Sequence, residues 1–240
     1  MRFSVVVPAH DEAGSLPATL ESLLAQDFGG SVEIIVVDNA SSDATADVAT
    51  SYGVRVVGEP ALGVCNARQT GVLAASGEVV VSTDADTVHP VDWLRRIDAA
   101  LRARPDAVAV AGPCRYLDPP WWGRLFPTLG FGGVALGYRL TGRVGYLTAT
   151  NVAYRRDGFP GYDTVLTQGG DEVDLLRRLT AWGPVVWDRR IVVETSARRF
   201  RQGLLHTLVV SYGYYYLASS LLNRLTGRRV IGSAPAVRES

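Results

Sequence analysis

Short β-rich runs alternate with helical stretches through the first half of this 240-residue chain. The runs lie near Phe3–Val7, Glu33–Val37, Val54–Val57, Glu78–Ser82 and Ala107–Ala111, and the helical stretches near Ser15–Gln26, Ala44–Tyr52, Val64–Ala75 and Val91–Ala103. Parallel strands need a crossover connection, usually a helix, so this alternation predicts a mostly parallel sheet. The runs are mostly continuously apolar rather than alternating, as strands are when helices cover both faces. The predicted class is therefore α/β and Rossmann-like. Ser42 and Asp43 suit the cap of the second helix, and Pro90 suits the first turn of the fourth. Open sheets of this kind bind ligands at the carboxyl ends of their strands, which directs the search for function to those ends.

Composition narrows the classes. With 47% apolar and 20% charged residues the chain can bury a full core. Lys plus Arg equals Asp plus Glu, so the formal net charge is zero and no nucleic-acid partner is expected. Cys65 and Cys114 are the only cysteines and share no short motif, which argues against a disulfide framework or a zinc site. The first residues enter a strand without a basic start or a long apolar stretch, so a cytoplasmic catalytic part is expected, at the inner face of the membrane if the tail described next meets lipid.

The second half is less regular. Residues 119–147 are rich in Gly, Trp, Phe and Tyr and hold no acidic residue. A strand is expected at Leu147–Tyr154 and a helix from Asp171 to Ala181. Trp121 and Trp122 suit either an acceptor or membrane contact or the core. The division expected is a catalytic domain over 1–197, with a nucleotide-binding half (1–112) and an acceptor half (113–197), then a basic and hydrophobic helical tail over 198–240. Within that tail, Gly203–Leu222 is a run of twenty residues without a formal charge. It is long enough to span a bilayer. Its tyrosines and flanking arginines favour a helix at the membrane surface, with a span or a core helix as alternatives. Arg198, Arg199 and Arg201 could reach phosphates or anionic headgroups.

Four acidic clusters stand at or just past predicted element boundaries: His10-Asp11-Glu12, Asp38 to Asp43, Asp84-Ala85-Asp86 and Gly169-Gly170-Asp171-Glu172. Single acidic residues there are usually turn formers, but the first three close successive strands of one sheet and would converge on one rim. Asp84 and Asp86, on alternate residues of an extended turn, could direct two carboxylates at one hard cation such as Mg²⁺ or Mn²⁺. Such an ion would neutralise a departing diphosphate. Gly63 opens a helix start suited to an anion, and Arg68 could add a charge-assisted hydrogen bond. The segment is neither a Walker loop nor the dinucleotide fingerprint, which argues against a dehydrogenase. His10, His89 and His206 are each read as polar loop or capping residues.

Five motifs in order resemble the family 2 glycosyltransferases of the GT-A fold: Val5 to Glu12, Val36 to Thr45, Gly63 to Gly71, Thr83-Asp84-Ala85-Asp86, and Gly170 to Leu175. The resemblance covers about residues 3–195. It implies an inverting transfer of a sugar from a nucleotide-diphosphate donor to an acceptor hydroxyl, assisted by Mn²⁺ or Mg²⁺. The acceptor the resemblance leads us to expect is a glycan, a lipid-linked molecule or a small molecule. By the same resemblance Pro8, Ala9, Asp11, Glu12, Asp38, Arg68 and Asp84 contact the donor, and Asp86 holds the metal with Asp84 beside it. The family reads Glu-Asp at the fourth cluster; here Asp171-Glu172 stands instead, so Glu172 aligns with the general base and Asp171 is the reserve candidate. A nucleotidyltransferase and a catalytically inactive membrane-associated scaffold of the same fold remain as alternatives.

Overall fold

The computed structural model describes residues 1–166, 170–198, 200 and 203, with the side chain of Phe126 excepted. Its elements run β1 (Phe3–Ala9), α1 (Leu16–Leu24), β2 (Val32–Asp38), α2 (Thr45–Ser51), β3 (Arg55–Gly58), α3 (Val64–Ala74), β4 (Val79–Ser82), β5 (Thr87–Val88), α4 (Trp93–Ala103), β6 (Ala109–Ala111), β7 (Cys114–Leu117), α5 (Leu125–Thr141), β8 (Val152–Arg155), α6 (Asp171–Trp182), β9 (Val185–Trp187) and β10 (Val193–Ser196). Short 3₁₀ turns, Trp121–Arg124 and Ala149–Asn151, precede α5 and β8.

Seven strands form one sheet in the order β3-β2-β1-β4-β8-β6-β9, and β5-β10-β7 form a smaller one. In the large sheet β8 runs antiparallel to both neighbours and the other pairings are parallel. The strand geometry explains the two-sided core. On β1, Phe3, Val5 and Val7 join a cluster with Leu16, Leu20, Trp93, Leu94, Ile97 and Leu101, drawn from α1 and α4. Val6, pointing the other way, joins Ile35, Val37, Ala67, Tyr154, Leu175 and Leu179 beneath α3 and α6. Successive side chains on a strand face opposite sides, so an unbroken apolar run buries both.

The five strands read in the first half are present with ends shifted by up to two residues. The strand expected at Leu147–Tyr154 begins later, at Val152: Thr148 accepts the Thr150 N–H and turns the chain through Ala149–Asn151 first. Pro90 lies outside α4, accepting the Trp93 N–H at 3.0 Å. At the start of α2 the Asp43 carboxylate accepts the Thr45 N–H at 2.9 Å, whereas Ser42 is turned away to Asp11. The helix α5, in the aromatic segment, has no counterpart among the sequence expectations. Cys65 and Cys114 are both buried and unpaired.

Candidate active site

The site grows from the carboxyl ends of β1, β2 and β4. Pro8 and Ala9 are buried at the end of β1, aligned with Val37 and Asp38 of β2, so the two following loops share a rim. Side chains clasp them together. Asp11 has a left-handed backbone, φ 52°, which costs a non-glycine residue about 1 kcal/mol. Its carboxylate accepts the Ser42 N–H at 2.7 Å and the Ser42 hydroxyl at 3.1 Å, while its own N–H donates to the Ser41 hydroxyl at 3.1 Å. The Glu12 N–H donates to Thr45 Oγ1 at 2.8 Å, and the Ala13 N–H to Asp43 at 3.0 Å. Asp38, partly exposed, accepts the Ser41 N–H at 3.3 Å and closes its own turn.

Arg68 enters from α3. This helix starts at Gly63, whose φ of 146° favours glycine, and the Gly63 N–H donates to buried Asn39 at 2.8 Å. One turn beyond Arg68, Gly71 lets the helix lie directly on β1, because an added Cβ would stand 2.2 Å from a Val6 methyl carbon. The guanidinium is thereby held inside the protein, 4% exposed. It donates to Asp171 at 2.9 Å and to Asp84 at 2.8 Å, tying the turn after β4 to the first residue of α6.

The two aspartates after β4 take separate protein partners. Asp84 accepts from Arg68 on one oxygen and from the Thr150 hydroxyl, at 2.5 Å, on the other. Asp86 faces the smaller sheet: Thr195 donates to it at 3.3 Å, and Arg198 Nη2 lies 3.1 Å away. Arg198 also grips Glu12 with both terminal nitrogens, one at 2.9 Å. It reaches them because β10 pairs with β5, and the Ser196 N–H donates to the Asp86 carbonyl at 3.1 Å. Arg198 is thus a cation between two carboxylates expected at the donor site.

Glu172 occupies the first turn of α6, where the helix terminus favours negative charge. The Tyr146 hydroxyl donates to it, as does the Ala149 N–H at 3.2 Å. Burial raises its carboxyl above the ordinary value, and the neighbouring Asp171 charge adds to this. Tyr146, Thr148 and Arg68 pull the other way without cancelling it. A buried carboxyl adjusted upward among polar partners suits a general base. For Arg68 and Arg198, burial disfavours the cation, but their carboxylate partners outweigh it and raise both above the ordinary guanidinium value. His89 stays neutral, because burial pushes it down to about 3 against the opposing pull of Asp84. Its ring sits between the Thr83 and Ser22 hydroxyls, at 2.8 and 2.9 Å, which makes it a structural residue.

Motif order alone points to Asp84, Asp86, Asp171, Glu172 and Arg68, and the fold brings these to one rim. Tyr146, Thr150 and Thr195 carried no sequence signal, since each meets its carboxylate only through tertiary pairing. Gly169, Arg199, Arg201, His206 and the run 203–222 apart from Gly203 lie outside the described residues. Among the described residues no cluster of three or more Asp, Glu, His or Cys side chains could hold a metal unaided, and no helix is long and apolar enough to cross a membrane. Asp86 still fits a shared site. Its partner Arg198 is a cation that an ion could replace, and Mg²⁺ or Mn²⁺ commonly takes one or two carboxylates plus substrate phosphates and water.

Strand order and rim define a GT-A fold, a mostly parallel sheet carrying an acidic turn after its fourth strand. The chain belongs to glycosyl transferase family 2, whose sequence pattern it matches over residues 4–161. It is 34% identical over 185 residues to an uncharacterised glycosyltransferase of Mycobacterium tuberculosis (strain ATCC 25618 / H37Rv), a match covering 75% of this chain and 79% of the relative. A shorter match, 34% identical over 103 residues, covers 39% of the chain and 32% of the undecaprenyl-phosphate 4-deoxy-4-formamido-L-arabinose transferase of Pectobacterium carotovorum subsp. carotovorum (strain PC1). In fold, the chain is similar to a mannosyltransferase from Pyrobaculum calidifontis in complex with GDP-Man and Mn²⁺, with a TM-score of 0.64 and 23% identity. That likeness covers 83% of this chain, which spans 59% of the mannosyltransferase. This chain is a glycosyltransferase.

Proposed function

We propose that the chain transfers a sugar with inversion from a nucleoside-diphosphate donor to an acceptor hydroxyl, with Glu172 as general base. The observation that carries this reading is the buried Arg68 bridge. It fixes the donor turn at Asp84 to the helix start that bears Asp171 and Glu172. In the step proposed, the acceptor oxygen bonds to the anomeric carbon as the bond to the diphosphate breaks on the opposite face. The acceptor proton passes to a Glu172 carboxylate oxygen, and the nucleoside diphosphate leaves with the bonding electrons. No covalent enzyme intermediate is required, and base assistance of this kind contributes roughly 10²–10⁴ in rate.

Asp86 would hold a divalent ion, which when bound supplies charge to the departing diphosphate. Asp84 is braced by Arg68 and Thr150, and each of its oxygens retains a lone pair for donor or ion. Pro8, Ala9, Asp11, Glu12 and Asp38 form the rest of the donor rim. Because one partial relative is named an undecaprenyl-phosphate 4-deoxy-4-formamido-L-arabinose transferase, a lipid-linked or membrane-proximal acceptor at the inner membrane face is the acceptor class proposed.

The test is donor binding and turnover across a panel of nucleotide sugars, with and without Mn²⁺ or Mg²⁺, for the unmodified chain and Asp86→Ala. Metal-dependent binding of one donor, weakened in the variant, with nucleoside diphosphate as product, is expected. Release of pyrophosphate would instead identify nucleotidyl transfer. If no nucleotide sugar binds under any metal condition, the inactive-scaffold reading replaces this one.

A further inference from the structure

Helix α5 carries apolar residues on both of its sides, the outer as well as the inner. Phe131, Val134, Ala135 and Tyr138 face inward and pack against the cluster beneath α3 and α6. Leu125, Leu129, Leu136 and Leu140 face out, exposed by 52%, 72%, 56% and 76%. At about 100° per residue these four fall within a sector of about 60°, and they run about 22 Å along the axis. Gly132 and Gly133, both exposed, lie between them and leave the stripe flat. Trp121, 79% exposed, precedes the helix. Contiguous exposed apolar surface of this extent marks an interaction site.

Charge selects the partner. Arg124, Arg139 and Arg143 are exposed at the two ends of the stripe. From Pro119 to Arg156 there is no acidic residue in a chain whose net charge is zero. An apolar stripe bordered by arginines, with a tryptophan at one end, is the composition of a helix that lies in a membrane interface. The course of the chain agrees with it. Phe200 packs edge-on against Trp122 and Tyr116, and the Gly203 N–H donates to the Phe200 carbonyl at 3.0 Å, so Gly203 lies near the turn that precedes α5. On its inner side α5 touches the site: the Phe131 ring lies 6.2 Å from that of Tyr146, the residue that holds Glu172.

We infer that the outer face of α5 is a docking surface for an anionic lipid bilayer, which it meets through Leu125, Leu129, Leu136 and Leu140. Between this surface and Tyr146, which holds Glu172, stands one helix, about 10 Å across. A membrane-borne acceptor would then be held on the side of the protein where α5 adjoins Tyr146 and, through it, Glu172. That last consequence rests on the glycosyltransferase mechanism proposed above, whereas the docking does not.

The test uses the full chain with phosphatidylglycerol–phosphatidylcholine vesicles and with vesicles of phosphatidylcholine alone. Co-sedimentation with the anionic vesicles is expected, and Leu129→Glu with Leu136→Glu should weaken it at least about tenfold. Both side chains are exposed, so thermal unfolding and donor binding in solution should not change. Unchanged partitioning would overturn the inference and assign any membrane affinity to the run after Gly203. A halved solution mass in the double variant would overturn it in favour of a second copy of this chain. A thiol-reactive fluorophore on Leu140→Cys gives a second reading, because Cys65 and Cys114 are buried. Its emission should shift to the blue on anionic vesicles, and an unshifted spectrum refutes contact even if the chain binds elsewhere.

Discussion

Replacing Arg68 with methionine keeps an apolar stem and removes the charged fork at its end. Two carboxylates lose their partner at once. Asp171 has a side chain 7% exposed, so it cannot recover water in exchange; Asp84, at 30%, recovers part of its hydration. Breaking a buried pair by deleting one member costs about 3–5 kcal/mol, because the remaining charge stays buried and uncompensated. Most of that figure is assigned to Asp171. Since domains of this size are held by about 5–15 kcal/mol in total, the loss should be visible as a large drop in the denaturation midpoint. Urea unfolding at neutral pH measures it, with the slope showing whether the unfolded state has changed as well. A double-mutant cycle with Asp171→Asn isolates the pair: the neutral amide should restore part of the stability, with a coupling of about 1–3 kcal/mol. Arg68→Lys should fall between the two, since one ammonium cannot repeat a fork that bonds two carboxylates. A loss below about 1 kcal/mol with an additive cycle would refute the argument that this bridge ties the donor turn to the helix of the base.

Three further outcomes follow from the same geometry. Glu172→Gln should slow sugar transfer by roughly 10²–10⁴ yet stabilise the fold at neutral pH. The folded carboxyl sits above its ordinary value of 4.5, so ionisation opposes folding there. The gain over the unmodified chain should fade as pH falls through the raised value, and melting temperatures across pH will show whether it does. Tyr146→Phe removes a hydrogen bond that favours the Glu172 carboxylate, so the acid limb of the kcat profile should move to higher pH, with the alkaline rate less affected; an unmoved limb would separate Tyr146 from the base. Gly71→Ala should destabilise by about 1–3 kcal/mol despite the better helix former, because its Cβ meets the Val6 methyl; denaturant unfolding checks it.

Where residues were legible in the sequence, local chemistry was the reason. The continuous apolar runs of β1, β2 and β4 could be read because both faces of each are covered, and the acidic clusters could be read because strand ends are where ligands meet an open sheet. The helix α5 was not legible: Gly130, Gly132, Gly133 and Gly137 each lower helix propensity, and four leucines point outward, which blurs the periodic signal of a buried face. The antiparallel place of β8 between β4 and β6 also has no local signature, as it depends on strands more than forty residues away.

The acidic turn shows most clearly what pairing adds to a motif. Asp84-Ala85-Asp86 reads as two carboxylates aimed at one cation, yet the sheet gives them different surroundings. Asp84 is held by a buried arginine and a threonine from the turn before β8, so its position is set by α3 and that turn. Asp86 adjoins β5, and the pairing of β5 with β10 carries Arg198 to it from more than a hundred residues away. A divalent ion and Arg198 would compete for the same carboxylate, because both are cations and Asp86 has few open directions. Ion binding at Asp86 should therefore loosen the ion pair that fastens the end of β10 to Glu12. If the donor brings the proposed ion to Asp86, donor binding would be coupled to the Arg198–Glu12 pair at the end of β10. Such a coupling would come from the sheet rather than from the motif, since the pairing of β5 with β10 is what sets Arg198 beside Asp86.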